Sequence, residues 1–598
     1  MPDDRLAPLP LDAVTLGPGP ARQRLELTTA YVHSLRPEAL LQNHYLEATR
    51  HLRPDQAPHG GWEAPTSMVR GHFLGHWMSA AAHLAAHGDP RARGTLEHVV
   101  AELAGCQRDN GGEWVASIPE KYLHRVKRGE PVWAPMYVAH NTLMGLVDAY
   151  AVAGIEPALD VLVNAARWYT RFTDGMTRDA LDDLLDWETG GMIGVWAELL
   201  HATGAPEHRE LLDRFDRPRL FDRLIAGADP LTNQHANTTV TEVNGAARAY
   251  EVTGEKRYRD VVEAYWRCAV DDRGTFATGG QSYGELWTPP YELAARLGAT
   301  NQEHCLVYHL TRLAERLLRW TGEPRFADYL ERNRVNGLYA QQHPGTGMVA
   351  YYLPLHAGGR KDWSTPTDSF FCCVGTMVQA GTTHDRGVHY TDADGLVLAQ
   401  YVASTARTSY GGTPVEVEVR TSDHPQLWGP MRLDVPIPAH RPDHFEAEID
   451  VRASAPADFD LRLRLPWWLA GDARVTVDGE VVAVASDPGT FQAIHRTWTT
   501  NTVRVELPRA LRREPLPDRP GTVAFLDGPV VLAGLVGGPR DLPEDVTFDP
   551  VEEREWGVWN RRYLADGVKF VPLHEVTDET YGVYFPLTPR QGSPAAQP

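Results

Sequence analysis

Thr321-Gly-Glu-Pro324 separates two Ala/Leu/Trp-rich amphipathic runs, and the same punctuation recurs at four places upstream. It reads His87-Gly-Asp-Pro90, Ala153-Gly-Ile-Glu-Pro157, Thr203-Gly-Ala-Pro-Glu207 and Thr253-Gly-Glu-Lys256, so the glycines stand 66, 50, 50 and 68 residues apart. A glycine just past a helix supplies the left-handed cap that other residues resist. Near-regular spacing of such turns marks repeated helical hairpins. Five turns and an N-terminal helix pair make six hairpins over residues 21–390. Six hairpins either close into an (α/α)6 barrel or run on as an open solenoid.

Between the hairpins lie long polar loops rich in Gly, Pro and aromatics, at 107–137, 183–194, 228–244, 274–299 and 343–372. Loops this long inside a compact domain are functional or disordered, and their aromatics argue against disorder. In a helical toroid they would collect at one end and shape a pocket. Past residue 391 the pattern changes to alternation, as in Pro414-Val-Glu-Val-Glu-Val-Arg420, Phe445-Glu-Ala-Glu-Ile-Asp-Val451 and Phe459-Asp-Leu-Arg-Leu-Arg-Leu465. Alternation with turns such as Asp478-Gly479 predicts half-buried strands of a sandwich. Pro508–Pro520, with four prolines, reads as a link between two β modules, and the apolar-poor end as a disordered tail. The expected division is multidomain α + β: a helical toroid at 1–390, a β-sandwich at 391–510, a smaller sandwich-like module at 511–589 and a tail at 590–598.

Two groups of ligand-type residues fall within the helical part. One is Glu303-His-Cys305 in Gly298-Ala-Thr-Asn-Gln-Glu-His-Cys305; the other is Cys372-Cys373 in Asp368-Ser-Phe-Phe-Cys-Cys-Val-Gly-Thr376. Three of the five cysteines of the chain are here. A carboxylate and three thiolates suit zinc, and the spacing is not that of a zinc finger. Both sulfurs of an adjacent pair reach one ion only where the backbone turns sharply, which Val374-Gly-Thr376 would allow. Two plainer readings stand beside this one: Thr300 and Glu303 as a helix capping box, and the cysteines as small buried hydrophobes.

From Glu303 to Val402 the sequence resembles glycoside hydrolase families 127 and 146, the β-L-arabinofuranosidase-like enzymes. The features that carry the likeness are Glu303-x-Cys305, Trp320-Thr-Gly-Glu-Pro-Arg-Phe-Ala-Asp-Tyr329, Asn336-Gly-Leu-Tyr339, Gln342-His-Pro-Gly-Thr-Gly347 and Ser369-Phe-Phe-Cys-Cys-Val-Gly-Thr376. Weaker likenesses, such as Gly71-His-Phe-Leu-Gly-His76 and Trp133-Ala-Pro-Met-Tyr-Val-Ala-His140, extend it over most of the chain. The resemblance implies the closed barrel and a Zn2+ ion on Glu303, Cys305, Cys372 and Cys373. It also implies Cys372 as nucleophile and Glu285, in Gly284-Glu285, as acid/base. Glu285 lies in Gly279-Gly-Gln-Ser-Tyr-Gly-Glu-Leu-Trp-Thr-Pro-Pro290, a loop by its glycines and prolines. By default a loop glutamate is a solvated surface charge; between Tyr283 and Trp287 it is expected to be partly desolvated, as an acid catalyst requires. Glu292 is the local competitor.

Sugar-binding candidates are His140 and His235, each otherwise a satisfied helix-end histidine. The sequence departs from the family in two places: Asn141 follows His140 where relatives carry lysine, and Ile193-Gly194 stands where they carry Asn-Glu. The second departure removes a carboxylate and implies a different substrate substituent or subsite.

Basic residues number 58 against 79 acidic ones, a net charge of −21. Nucleic acid and anionic membrane demand basic patches, so neither is an expected partner. A small oligosaccharide or glycoside is. The chain holds no apolar run of membrane-spanning length and no leader pattern at its start, which together with the few cysteines predicts a cytoplasmic protein. A homodimer is compatible with the sequence, which does not specify the oligomeric state. Three functions compete: a zinc-thiolate retaining glycosidase releasing terminal L-arabinofuranose, a non-catalytic zinc-stabilised carbohydrate-binding protein, and another helical-toroid enzyme such as an unsaturated-sugar hydrolase or lyase. Intact Glu285 and Cys372 favour the first.

Overall fold

The computed structural model describes residues 4–51, 58–187, 189–422, 442–555 and 558–589. The expected tail, 590–598, lies outside the described residues. Of the seventeen α-helices among the described residues of the first domain, twelve form its double ring. In chain order they are α1 (Pro20–Ser34), α2 (His72–Ala86), α3 (Pro90–Asp109), α4 (Pro135–Ala151), α5 (Pro157–Thr173) and α6 (Met192–Thr203). Then come α7 (Pro206–Arg214), α8 (Ala236–Thr253), α9 (Lys256–Trp266), α10 (His304–Thr321), α11 (Pro324–Asn333) and α12 (Cys372–Gly381).

The even-numbered helices form an inner ring. Each packs on the next, from α2 through α4, α6, α8 and α10 to α12, and α12 packs back on α2. That last contact closes the ring and excludes the open solenoid. The odd-numbered helices back the ring from outside. They are amphipathic, as in α5, where Val161, Leu162, Ala165, Trp168, Tyr169 and Phe172 make one buried stripe at helical spacing. Inner helices face neighbours on all sides, so every residue of α2 from His72 to Ala85 is buried. Close approach there depends on missing side chains. A Cβ on Gly75 would fall 1.7 Å from the backbone oxygen of Asn141 on α4.

All five glycines picked out by their spacing have positive φ, between 65° and 87°, and each joins an inner helix to its outer partner. The sixth pair differs from the expected N-terminal hairpin. Its outer member is α1 and its inner member α12, from opposite ends of the domain. No turn can announce a pair whose members are far apart in the chain.

The β-rich part begins with a sheet built on two long strands, His444–Leu465 and Thr490–Pro508, paired antiparallel from His444↔Pro508 to Leu465↔Thr490. Alternate residues fill its core as the pattern predicts: Val415, Val417 and Val419, then Phe445, Ala447, Ile449 and Val451. Asp478-Gly479 is the turn between Ala473–Val477 and Glu480–Ala485, with both φ values positive. The stretch 508–520 is more than a link. Leu511–Leu516 is a strand antiparallel to Arg519–Asp527, with a register shift after Pro515. Edge strands and bulges are where a sheet tolerates proline.

This last module is packed against the helical domain. Leu516, Leu526, Leu573 and Tyr581 share one core with Phe276, Leu293, Leu353 and Leu355 of the two longest barrel loops. Lys361, buried in the second of these loops, donates to the carbonyls of Leu573 and Val576 at 2.8 Å each. The β module thereby braces the loops that carry the site described next.

Candidate active site

Each long loop runs from an outer helix to the start of an inner one, so all five open at the same end of the ring. A cavity of about 140 Å³ lies there. Glu303 immediately precedes α10 and Cys305 is in its first turn, while Cys372 and Cys373 begin α12. Two helix N-termini, each carrying partial positive charge, thus converge on the four groups. Their ligand atoms lie within 4.8 Å of one another. Cys305 Sγ is 3.3 Å from Cys373 Sγ, Cys372 Sγ is 3.9 Å from Cys373 Sγ, and Glu303 Oε1 is 3.7 Å from Cys372 Sγ. The turn that lets both adjacent sulfurs converge is the first turn of α12 itself, which is entered through Phe370 at φ 49° and includes Val374 and Gly375. Gly375 also makes room for a neighbouring ring, since a Cβ there would stand 2.3 Å from His76.

The capping-box reading of Thr300 and Glu303 does not hold. Glu303 occupies the cap position itself, makes no side-chain cap hydrogen bond, and turns its carboxylate to the cysteines. It is fully buried, and Oε2 has no hydrogen-bond partner among the described residues. Burial first, then the neighbouring Cys372 and Glu285, push its carboxyl well above the usual range. A carboxylate and three thiols lie at this distance with no Lys or Arg paired to them among the described residues. The cluster could hold a metal ion, and the orphaned Oε2 is the atom that fits one. The two adjacent cysteines are not equivalent. Hydrogen bonds from Cys305, Cys373 and Tyr351 hold the Cys372 thiol well below its ordinary value, whereas burial pushes Cys373 and Cys305 up.

Glu285 faces the cluster across the cavity from the tip of a two-residue hairpin turn. Tyr283 and Leu286 exchange backbone hydrogen bonds of 3.1 Å, and both central residues are left-handed, Gly284 at φ 55° and Glu285 at φ 69°. Such a turn favours glycine at its centre, and a side chain there costs about 1–2 kcal/mol. The strain aims the carboxylate inward, where it is half-buried. Trp287, expected to shield it, is instead buried beneath, donating to Thr239 Oγ1 at 3.0 Å. Glu292 is exposed, pairs with Arg296 at 3.2 Å and does not line the cavity.

Both proposed sugar-binding histidines line the cavity. Gly190 and Gly191 lie against the His140 ring, where their Cβ atoms would fall 2.7 Å and 2.9 Å from its nitrogens. Burial, then neighbouring His76, hold His140 neutral, its pKa down at about 3. His235 is at once a helix cap and a wall residue: Nδ1 accepts from the Thr238 amide at 3.3 Å, and Nε2 is 3.8 Å from Glu285 Oε2. Ile193-Gly194 does not line the cavity. It lies against Gly245, whose Cβ would strike Ile193 at 2.2 Å, and so lets α6 and α8 cross closely.

Tyr351 was not signalled by the sequence. Its hydroxyl hydrogen-bonds Glu285 Oε1 and lies 3.4 Å from Cys372 Sγ, joining the two groups across the cavity. Trp62 and Trp133 meet edge to face at the mouth, ring centroids 5.1 Å apart.

Residues 13–386 match the β-L-arabinofuranosidase GH127 catalytic domain, and residues 395–509 match the GH127 middle domain. Among solved structures, a GH127 β-L-arabinofuranosidase from Geobacillus stearothermophilus T6 aligns with TM-score 0.71 at 17% identity, over 96% of this chain and 100% of that one. A GH127 β-arabinofuranosidase aligns with TM-score 0.74 at 17% identity, over 98% of both chains. No curated protein matches the chain in sequence. The toroid, its β modules and these matches define a glycoside hydrolase. Within that class, the chain belongs to the GH127 β-L-arabinofuranosidase family. No described helix is long and apolar enough to cross a membrane.

Proposed function

We propose that this protein is a retaining exo-glycosidase that releases a terminal L-arabinofuranose, with Cys372 as nucleophile, Glu285 as acid/base and zinc on Glu303, Cys305, Cys372 and Cys373. The observation that carries the reading is that Glu285 and Cys372 face one cavity and share the Tyr351 hydroxyl. A sulfur-rich set of three thiolates and a carboxylate selects zinc over harder cations. A bound zinc ion supplies one thing, the ionised state of the thiols.

The remaining chemistry belongs to the chain's own residues. Cys372 sulfur attacks the anomeric carbon as the glycosidic bond breaks, and Glu285 passes its proton to the departing oxygen. Glu285, now a carboxylate, takes a proton from water; the water oxygen attacks the anomeric carbon and the carbon–sulfur bond breaks, returning the thiolate. Two inversions leave the configuration retained. His140, held neutral, and Asn141 are placed to hydrogen-bond sugar hydroxyls. The cavity, about 140 Å³, is on the scale of a single sugar residue rather than of an oligosaccharide. That size argues for an exo mode of action. Aryl glycosides test the reading: β-L-arabinofuranoside should be turned over well above α-L-arabinofuranoside, pyranosides and glucosides. Turnover of none of them would remove the assignment.

A further inference from the structure

A second cavity, of about 40 Å³, lies in the barrel wall between α10, the residues that follow α11 and the end of α12. Three guanidinium groups line it, from Arg312, Arg334 and Arg386, against the single carboxylate of Glu315. Glu315 is engaged by two of them, at 2.6 Å from Arg312 and 3.4 Å from Arg386. Arg334 is the third. It is 7% exposed and donates through Nη2 to the Arg386 carbonyl at 3.0 Å, while Nη1 is buried with no hydrogen-bond partner among the described residues. A buried charged donor left unmade is costly, and native structures explain such groups by an ion or water.

We propose that this cavity binds a small inorganic oxyanion of the phosphate class. Three arginines outnumber the one carboxylate in the lining, with Asp148 near enough to Arg312 and Arg386 to offset part of that charge, and guanidinium groups are the side chains best shaped for oxyanions. A space of about 40 Å³, against the minimum of about 10–15 Å³ that a single water needs, excludes a sugar phosphate or nucleotide. Arg312 and Arg386, with side chains 18% and 29% exposed, form the way in. The position gives the ion a consequence. α10 begins beside Glu303 and Cys305, and α12 begins with Cys372 and Cys373. Arg312 lies roughly 10 Å along α10 from Cys305. A bound oxyanion ties together, behind the cluster, the two helices that present all four of its groups. Hydrolysis of a neutral sugar needs no such site, so the inference is independent of the reaction assigned above.

The test is thermal unfolding and titration calorimetry of the full chain with inorganic phosphate, ionic strength being held constant with sodium chloride. The expected result is a saturable rise in Tm with one site per chain, lost in Arg334→Met. Thr311→Asp, which places a carboxylate in the same cavity, should raise Tm without phosphate and abolish the saturable response. It decides alone where Arg334→Met fails to fold. A shift that follows ionic strength only, or one that persists in Thr311→Asp, overturns the proposal and leaves ordered water as the occupant.

Discussion

The two catalytic candidates ask different things of one sugar, and substitutions should separate them. Replacing Glu285 with alanine removes the proton donor, so turnover of an alkyl glycoside should fall by about 10²–10⁴-fold. An aryl leaving group needs little protonation, and the first step should then recover. Cys372→Ala removes the bond-forming atom, and no leaving group should restore it. Cys372→Ser should be equally inactive, because a hydroxyl is the poorer nucleophile at neutral pH. Stopped-flow release of nitrophenol from both variants checks this; recovery in Cys372→Ala would sink the assignment. At this scale the cluster of Glu303, Cys305, Cys372 and Cys373 was legible because carboxylate and thiol are rare neighbours with a definite chemistry. Tyr351 was not. It lies in an apolar run, Met348-Val-Ala-Tyr-Tyr-Leu353, and only the folding of that loop onto Glu285 gives its hydroxyl a role. His235 shows that the plain and the functional readings can both hold, since one ring nitrogen caps α8 while the other faces the carboxylate.

Helices and turns carry the site by how closely they approach one another. Gly75 permits the α2–α4 crossing: its added Cβ meets backbone at 1.7 Å, which no side-chain movement can relieve. Gly75→Ala should therefore destabilise the fold by about 3 kcal/mol or more, the upper end for overpacking. Gly88 has φ 87° and nothing within 4 Å of an added Cβ, so Gly88→Ala should cost only the left-handed backbone strain, about 1–2 kcal/mol. Urea unfolding of the two variants reads the difference, and equal losses would contradict the packing account. The hairpin turns were legible because glycine at a helix end has a local cause. The pairing of α1 with α12 and the strand at Leu511–Leu516 had none, one being set by ring closure and the other by an edge position that excuses its prolines.

The whole molecule buries many ionisable groups, and this gives its stability a direction with pH. His44 and His389 are held down to about 4, and His574 to about 3, all first by burial. Their folded pKa values lie below the unfolded one near 6.5, so the stability they contribute is complete above that pH and is lost as pH falls towards 4. Asp148, raised to about 6 by burial, works in the opposite sense over about pH 4–6, as do the raised carboxyls of Glu47, Asp216, Glu242, Glu303 and Asp328, but the histidines held down by burial outnumber them. Tm should thus be level above about pH 7 and decline below about 6.5; a Tm that rises on acidification would contradict this. The metal reading has an equally plain readout. Elemental analysis should find about one zinc per chain, reduced in Cys305→Ser and Glu303→Gln, and chelation should lower Tm because metal binding contributes folding free energy. The central claim, that a cysteine of this cluster attacks the sugar, is tested most directly by trapping. Enzyme treated with an epoxide-type furanoside inhibitor, digested and read by mass spectrometry, should carry the added mass on Cys372. An adduct on Cys373, Glu303 or Glu285 would contradict it.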